Sequence, residues 1–332
     1  MYHVFQFLCA RALALLKSGI RTCEKFLASI KMSGKKSTRL GHLGAGVEQA
    51  PDPIFLPDGS VSPAALVELG ALVSQRYVDA KPCPGQPELV LYNYTPRQQA
   101  YGSWTSVAKA CRGLVLRHGV TSLSGDDAPV CVEALAGAGD GVPAAASRAT
   151  STVAARPLAK FFNVGEHSAS LAAGETFRVL DKVDGSLGVV FHVNGAWRVN
   201  TRGSWVSPQA GVASEMLASL RVGALDPAFT YCVEILYPEN RVVVNYGGRR
   251  ELTLLAATET ATGRELSWED LPALAASVGC PVVRNFGTGV CAEHEPTRLV
   301  ARVMREWGSE IARGDEAEGF VLVGARYAGH LP

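Results

Sequence analysis

The five residues Lys182-Val183-Asp184-Gly185-Ser186 hold the most chemistry in the smallest space. They separate two hydrophobic runs, residues 177–180 and 187–193, so the spacing predicts a lysine at the end of a strand, followed by a turn. A primary amine held there is a nucleophile for phosphorus once it is neutral, and neighbouring cations or a metal would serve that task. Gly185 lets the backbone approach a ligand with no Cβ in the way. Taken alone, the same residues also describe a solvated turn.

Five further charges sit inside or beside apolar runs, where charge is costly unless it is used or paired. Arg112 follows Cys111 and precedes Gly113-Leu114-Val115-Leu116, and Lys160 lies in Pro-Leu-Ala-Lys-Phe-Phe-Asn at 157–163. Arg202 lies in Thr-Arg-Gly-Ser at 201–204, Glu234 is flanked by Val233 and Ile235, and Glu318 precedes Gly319-Phe320-Val321-Leu322. Singly, each has a structural explanation: Glu234 as an outward strand residue, Lys160 and Arg202 as snorkelling side chains. Together with Lys182 they make four cations and two carboxylates, the composition of a triphosphate-and-metal site.

The elements that must position them follow from periodicity. Leu66, Leu69, Val73 and Tyr77 keep helical spacing over residues 63–77. Residues 177–180, 187–193 and 196–201 form β-type runs, the last two joined by the hairpin signal Asn194-Gly195. Ser207-Pro208 opens a helix to about 220, and residues 231–236, 241–246 and 252–258 are expected strands. Helices at 267–278 and 296–313 and a strand at 319–323 complete an α+β domain built on antiparallel sheets. Residues 119–156, rich in Ala, Gly and Ser, are expected to be a flexible, exposed insertion in a domain spanning 50–332.

Bulk composition narrows the classes. The 332 residues are 47% hydrophobic, enough for a sizeable core, and the net charge is +1. Residues 1–50 hold 8 of the 32 Lys/Arg and 2 of the 31 Asp/Glu, so the body is mildly acidic and nucleic acid would need a local basic groove. The basic, acid-poor segment 1–40 is expected to be either an organellar transit peptide or a stretch preceding a true start at Met32. In the first case the destination is a mitochondrion or chloroplast, in the second the cytoplasm or nucleus. The eight cysteines include no Cys-x-x-Cys pair, which favours buried thiols in a reduced compartment. No apolar run reaches membrane-spanning length, and no membrane association is expected.

Taken in order, these segments resemble the covalent nucleotidyltransferase superfamily, and within it the phage-type ATP-dependent RNA ligases, across roughly residues 90–323. Lys-x-Asp-Gly is shared with DNA ligases and capping enzymes. The Cys-Arg-Gly and Lys-Phe-Phe-Asn segments, Ser186 and the run from Glu234 to Tyr246 resemble the RNA-joining branch. The resemblance implies a nucleotidyltransferase fold and a reaction through a lysyl-AMP on Lys182, with ATP and Mg²⁺ (or Mn²⁺) as cofactors. It implies nucleotide contacts from Arg112, Lys160, Asp184, Gly185, Arg202, Glu234 and Glu318, with Glu234 and Glu318 also supporting the metal. Arg202 stands where phage relatives carry Lys, which keeps charge but alters geometry. The implied partner is RNA with 5′-phosphate and 3′-hydroxyl ends, with an end-processing kinase or phosphatase alongside, and the protein is expected to be a monomer.

The pattern departs from the family after Glu318. The expected Lys-x-Lys strand is missing before Pro332, and Arg326 falls too early to replace it. Impaired self-adenylylation of the chain as written is therefore expected, through a truncated C-terminus or a degenerate ligase. A DNA ligase or capping-type enzyme, and a non-catalytic RNA-binding homologue, are the alternatives at this level.

Overall fold

Apolar side chains on both faces of a strand demand cover on both faces, and that requirement stacks this protein. The computed structural model describes residues 4–6, 54–119, 151–168, 171–293, 295–311 and 318–324. Strands β2 (Val78–Cys83), β3 (Gln86–Tyr94), β4 (Arg112–His118) and β5 (Ser151–Ala155) form a first antiparallel sheet in that order. Strands β8 (Ser186–Val193), β9 (Ala196–Thr201), β10 (Phe229–Leu236) and β11 (Glu251–Glu259) form a second, ordered β11-β10-β8-β9. A third contains β1 (Val4–Gln6), β6 (Phe162–Asn163), β7 (Thr176–Asp181), β12 (Asn285–Val290) and β13 (Phe320–Gly324), ordered β12-β7-β13-β1-β6. The helices are α1 (Pro63–Ser74), α2 (Pro96–Tyr101), α3 (Ser106–Ala110), α4 (Pro208–Ala218), α5 (Leu271–Val278) and α6 (Pro296–Ile311).

Leu89, Leu91 and Val115 of the first sheet meet Val189, Phe191 and Val193 of the second. The opposite face of the first sheet, with Val90, Tyr92 and Leu116, packs on Ala65, Leu69 and Val107 of α1 and α3. The opposite face of the second, with Val190, Val233 and Ile235, packs on α4 and α5 through Leu217 and Leu271. The layers therefore run helix, sheet, sheet, helix. Fully burying each large apolar side chain is worth about 1.5–3 kcal/mol, so this stacking fixes where the strands end. Helix α6 covers the third sheet, with Leu299 and Val303 against Phe177, Val179 and Phe320. No described helix is long and apolar enough to cross a membrane.

The arrangement that matters for chemistry is a crossing. Strand β7 of the third sheet ends at Asp181 and β8 of the second begins at Ser186. Residues 182–185 are thus the hinge between two sheets, and their neighbours on both sides are strand ends.

Several expectations hold in detail. The Asn194-Gly195 hairpin turns with φ of 51° and 77° at its two centres, the left-handed pair that a tight hairpin needs. Helix α4 is capped by Ser207, whose Oγ accepts from the Ala210 amide at 3.2 Å. Among the described residues Cys83, Cys111, Cys232, Cys280 and Cys291 are free thiols.

Others need correction. Residues 151–155, read as the end of the exposed insertion, form β5, with Ser151 and Ala155 buried; residues 120–150 lie outside the described residues. Residues 241–246, read as a strand, form none, because the Val243 and Val244 amides go to the Asp184 carboxylate instead of a ladder. The helix expected from 267 begins at Leu271, since Ser267 and Asp270 hydrogen-bond each other ahead of it. Strand β12 was not foreseen: its Asn-Phe-Gly-Thr-Gly-Val sequence resembles a turn, but the ring of Phe177 occupies the space a Cβ on Gly289 would fill. Val4–Gln6 of the basic extension pairs with β13 and β6, so those three residues belong to the third sheet. Residues 7–53, Arg326 and the rest of 325–332 lie outside the described residues.

Candidate active site

Five of the six charged side chains singled out in the sequence stand at or near a strand end and line one cavity. Arg112 opens β4, Lys182 follows β7, Arg202 follows β9, Glu234 sits near the end of β10 and Glu318 shortly precedes β13. Together with Asp184 and Gly185 they line one cavity of about 560 Å³, which also receives Phe161, Trp268, Val321 and Val323. A cavity of this size, part apolar and part charged, suits a nucleotide-sized ligand.

Lys182 reaches the cavity with its Nζ in an ion pair with Glu318, and both side chains are largely buried. The Lys182 amide also donates to Gly319 O at 3.0 Å, so backbone and side chain both tie the Lys182 turn to the start of β13. Burial raises the Glu318 carboxyl above its ordinary range, while Lys182 opposes the shift. Glu234 lies on the second sheet opposite Leu187. Burial pushes its carboxyl up to about 8, against the pull of Arg112 and Lys182 and with help from the Glu318 charge.

Asp184 does something other than wait for a ligand. Its Oδ2 accepts from the Val243 and Val244 amides, both at 2.6 Å, and its own amide donates to the Tyr246 hydroxyl at 2.9 Å. Ser186 Oγ donates to Asn240 Oδ1 at 3.0 Å, and Asn240 Nδ2 donates to Ile235 O at 2.8 Å. The segment 238–246 is thereby clamped over the Lys182 turn. Asp184 also lines the cavity, where a nucleotide contact is expected of it, and its Oδ2 serves this positioning role as well. Gly185 is required by space: a Cβ there would stand 2.6 Å from Ile235 O and 2.8 Å from Leu236 Cδ2.

The remaining cations form a wall of different character. Arg112 stacks on Phe161 at 4.6 Å and donates to Leu158 O at 3.4 Å. Arg202, at the exposed rim, donates to the Tyr94 hydroxyl at 2.7 Å. Lys160 is not among the residues lining the cavity. Its ammonium sits beside it, over Phe162 at 5.0 Å and over Tyr94 and Trp104 at 5.8 Å each. Burial lowers it to about 8, with Arg112 and Arg202 pushing the same way and Glu166 opposing.

Sequence reasoning missed Asp181, which lines the cavity directly before Lys182. Burial raises its carboxyl, opposed by Arg284 and Arg249. The available signal was a carboxylate closing the hydrophobic run that leads into Lys182. Tyr94 had no comparable signal, since its role arises from segments far apart in the chain.

The model of the RNA ligase family matches residues 141–328. The chain belongs to the RNA ligase family. A provisionally named RNA ligase of Thermovibrio ammonificans is 29% identical over 187 residues, covering 53% of this chain and 47% of that protein. A provisionally named bifunctional polynucleotide kinase/RNA ligase of Autographa californica nuclear polyhedrosis virus is 27% identical over 150 residues, 37% of this chain and 22% of that protein. This RNA ligase family member thus spans less than half the length of either relative. An archaeal ATP-dependent RNA ligase structure aligns over 77% of this chain and 57% of its own, with 18% identity and a TM-score of 0.42. Lys182, Arg202, Glu234 and Glu318 fall inside the family match, whereas Tyr94 and Arg112 precede it.

Proposed function

We propose that this protein is an ATP-dependent RNA ligase that joins RNA 5′-phosphate and 3′-hydroxyl ends through a lysyl-AMP on Lys182. One observation carries the reading: in a chain of the RNA ligase family, the lysine of Lys-x-Asp-Gly meets a carboxylate, Glu318, inside a cavity walled by Arg112 and Arg202.

The Lys182 ammonium must lose a proton before its lone pair can attack, and Glu318 is the carboxylate in contact to receive it. Nζ then forms a bond to the α-phosphorus of ATP while the bond to the pyrophosphate oxygen breaks in line. Arg112 and Arg202 supply positive charge for the departing phosphates, which is where a loose phosphoryl-type transition state gathers charge. In the second step an oxygen of the RNA 5′-phosphate attacks the same phosphorus and the P–N bond breaks, returning the amine. In the third, the 3′-hydroxyl attacks the RNA 5′-phosphorus, AMP leaves, and the phosphodiester forms. Each step reuses one cavity, so positioning dominates the rate.

Among the described residues no group of three or more His, Cys, Asp or Glu side chains converges to hold an ion. Two carboxylates, Glu234 and Glu318, do flank the nucleophile. That set fits Mg²⁺, which keeps waters and takes one or two carboxylates together with phosphate oxygens. Glu234 and Glu318 would hold it, and it would supply charge neutralisation at the phosphates.

A role in repair of broken RNA, such as tRNA, extends this reading. The kinase half in the viral relative's name supports an end-processing partner. The basic segment 1–40 supports delivery to an organelle if it is a transit peptide, against the cytoplasm or nucleus if translation starts at Met32, and a monomer suffices because described residues of one chain line the cavity. The full-length protein should join 5′-phosphorylated RNA strands with ATP and Mg²⁺. Preference for GTP, or for DNA over RNA, would overturn the assignment, and RNA binding with no joining would move it to the non-catalytic alternative.

A further inference from the structure

Two of the cavity-side cations share a single seat. Tyr94 closes β3, beside the Asn93–Arg112 register pair, and its side chain is 8% exposed. Its hydroxyl accepts from Arg202 Nη1 at 2.7 Å, and the Arg202 guanidinium lies 4.9 Å from the ring centroid. The same ring lies 5.8 Å from Lys160 Nζ. Among the described residues no ion pair holds Arg202, whereas the Glu166 charge reaches Lys160. Two like charges are thus drawn to one neutral ring, whose π face attracts cations without cancelling their charge. A carboxylate in that place would hold them as firmly and would neutralise the field they project.

The approach is also fixed from behind. Gly113, with φ of 91°, brings β4 so near that a Cβ would stand 3.2 Å from Arg202 Cα. Lys81 Nζ donates to Gly203 O at 2.7 Å, pinning the backbone after Arg202. These contacts place the loop, but it is Tyr94 that aims the guanidinium.

We propose that Tyr94 is a positioning residue that aims Arg202, with Lys160 behind it on the same ring, at phosphate oxygens arriving at the mouth of the cavity. The proposal rests on the nucleotidyl-transfer reading of the cavity. The phosphates are those of ATP or the 5′-phosphate of the RNA, one chemistry from two sources.

The test is binding, independent of turnover. Tripolyphosphate, a 5′-phosphorylated oligoribonucleotide and its 5′-hydroxyl counterpart are titrated calorimetrically into the full-length protein and its Tyr94→Phe, Tyr94→Leu, Arg202→Ala and Tyr94→Phe/Arg202→Ala variants. Tyr94→Phe keeps the ring and loses the hydrogen bond to a charged group, so Kd should rise about tenfold for tripolyphosphate, the phosphorylated RNA or both. Tyr94→Leu should weaken it further, and the 5′-hydroxyl RNA should be unaffected. In the Arg202→Ala background Tyr94→Phe should add less than about twofold, the signature of two residues acting as one. Whichever ligand responds identifies the source. Unchanged Kd values in folded Tyr94→Phe, an equal loss with and without Arg202, or no phosphate binding by the unaltered protein would each overturn the proposal. Covalent labelling of Lys182 in the unaltered protein, measured separately, tests the ligase reading, so its failure is distinguishable from that of the proposal.

Discussion

Lys182 and Arg202 are cations of one cavity, yet the first is met by a carboxylate and the second by an aromatic ring. The two surroundings suit two tasks. A nucleophilic amine must give up a proton, so a carboxylate in contact is an acceptor. A phosphate-binding cation must keep its charge and project it, so a ring or hydroxyl is the better seat. Arg112 on Phe161 and Lys160 among three aromatic side chains follow the second rule. On the proposed function, burial, hydrogen bonding and charge divide the cavity into a proton-handling side at the hinge and a phosphate-facing wall at the rim.

The sharpest way to break this division is Glu318→Gln, which keeps shape and removes the proton acceptor. The rate of lysyl-nucleotide formation at saturating ATP should fall by about 10²–10⁴-fold, read from single-turnover kinetics with labelled ATP. A defect confined to KM would place Glu318 with the wall instead. Asp184→Ala should come next. Losing two amide partners of a buried carboxylate should cost about 2–4 kcal/mol of stability, seen as a lower denaturant midpoint, with segment 238–246 gaining hydrogen exchange. Exchange rates that stay unchanged would mean that the clamp does not hold that segment.

Gly185→Ala should follow, at about 1–3 kcal/mol, because its new methyl would press on Ile235 O. Arg202→Lys should act on the wall alone, raising KM for ATP by about tenfold through the lost fork geometry while the saturated rate holds. The smallest effect is a pH dependence. Glu234 keeps its proton in the folded protein up to about 8, whereas the unfolded chain releases it near 4.5. Folding stability should therefore decline as pH rises across that window, and Glu234→Gln should flatten the decline by a few degrees in Tm. An identical profile in the variant would show that Glu234 is ionised throughout.

What the sequence could reveal depended on how local the cause was. The Lys182 turn, the Asn194-Gly195 hairpin and the cap at Ser207 are set by neighbouring residues, and each was legible. Residues 241–246 look like a strand by composition, but the Asp184 carboxylate, about sixty positions away, takes their amides. Lys160 is expected to contact the nucleotide, and no local pattern announces that Tyr94 and Trp104 flank its ammonium. Lys182, Glu234 and Glu318 were visible because charge inside or beside apolar strands is costly wherever it occurs. The seat that aims the cations was not, because aromatic residues are common in cores and nothing in their spacing distinguishes the two uses.

The central claim is that the amine of residue 182 takes up adenylate, and covalent labelling tests it most directly. Full-length protein incubated with α-labelled ATP and Mg²⁺, then digested and mapped by mass spectrometry, should carry one acid-labile AMP on the Lys182 peptide and none in Lys182→Ala. Label absent from that peptide, or retained in Lys182→Ala, would contradict the account.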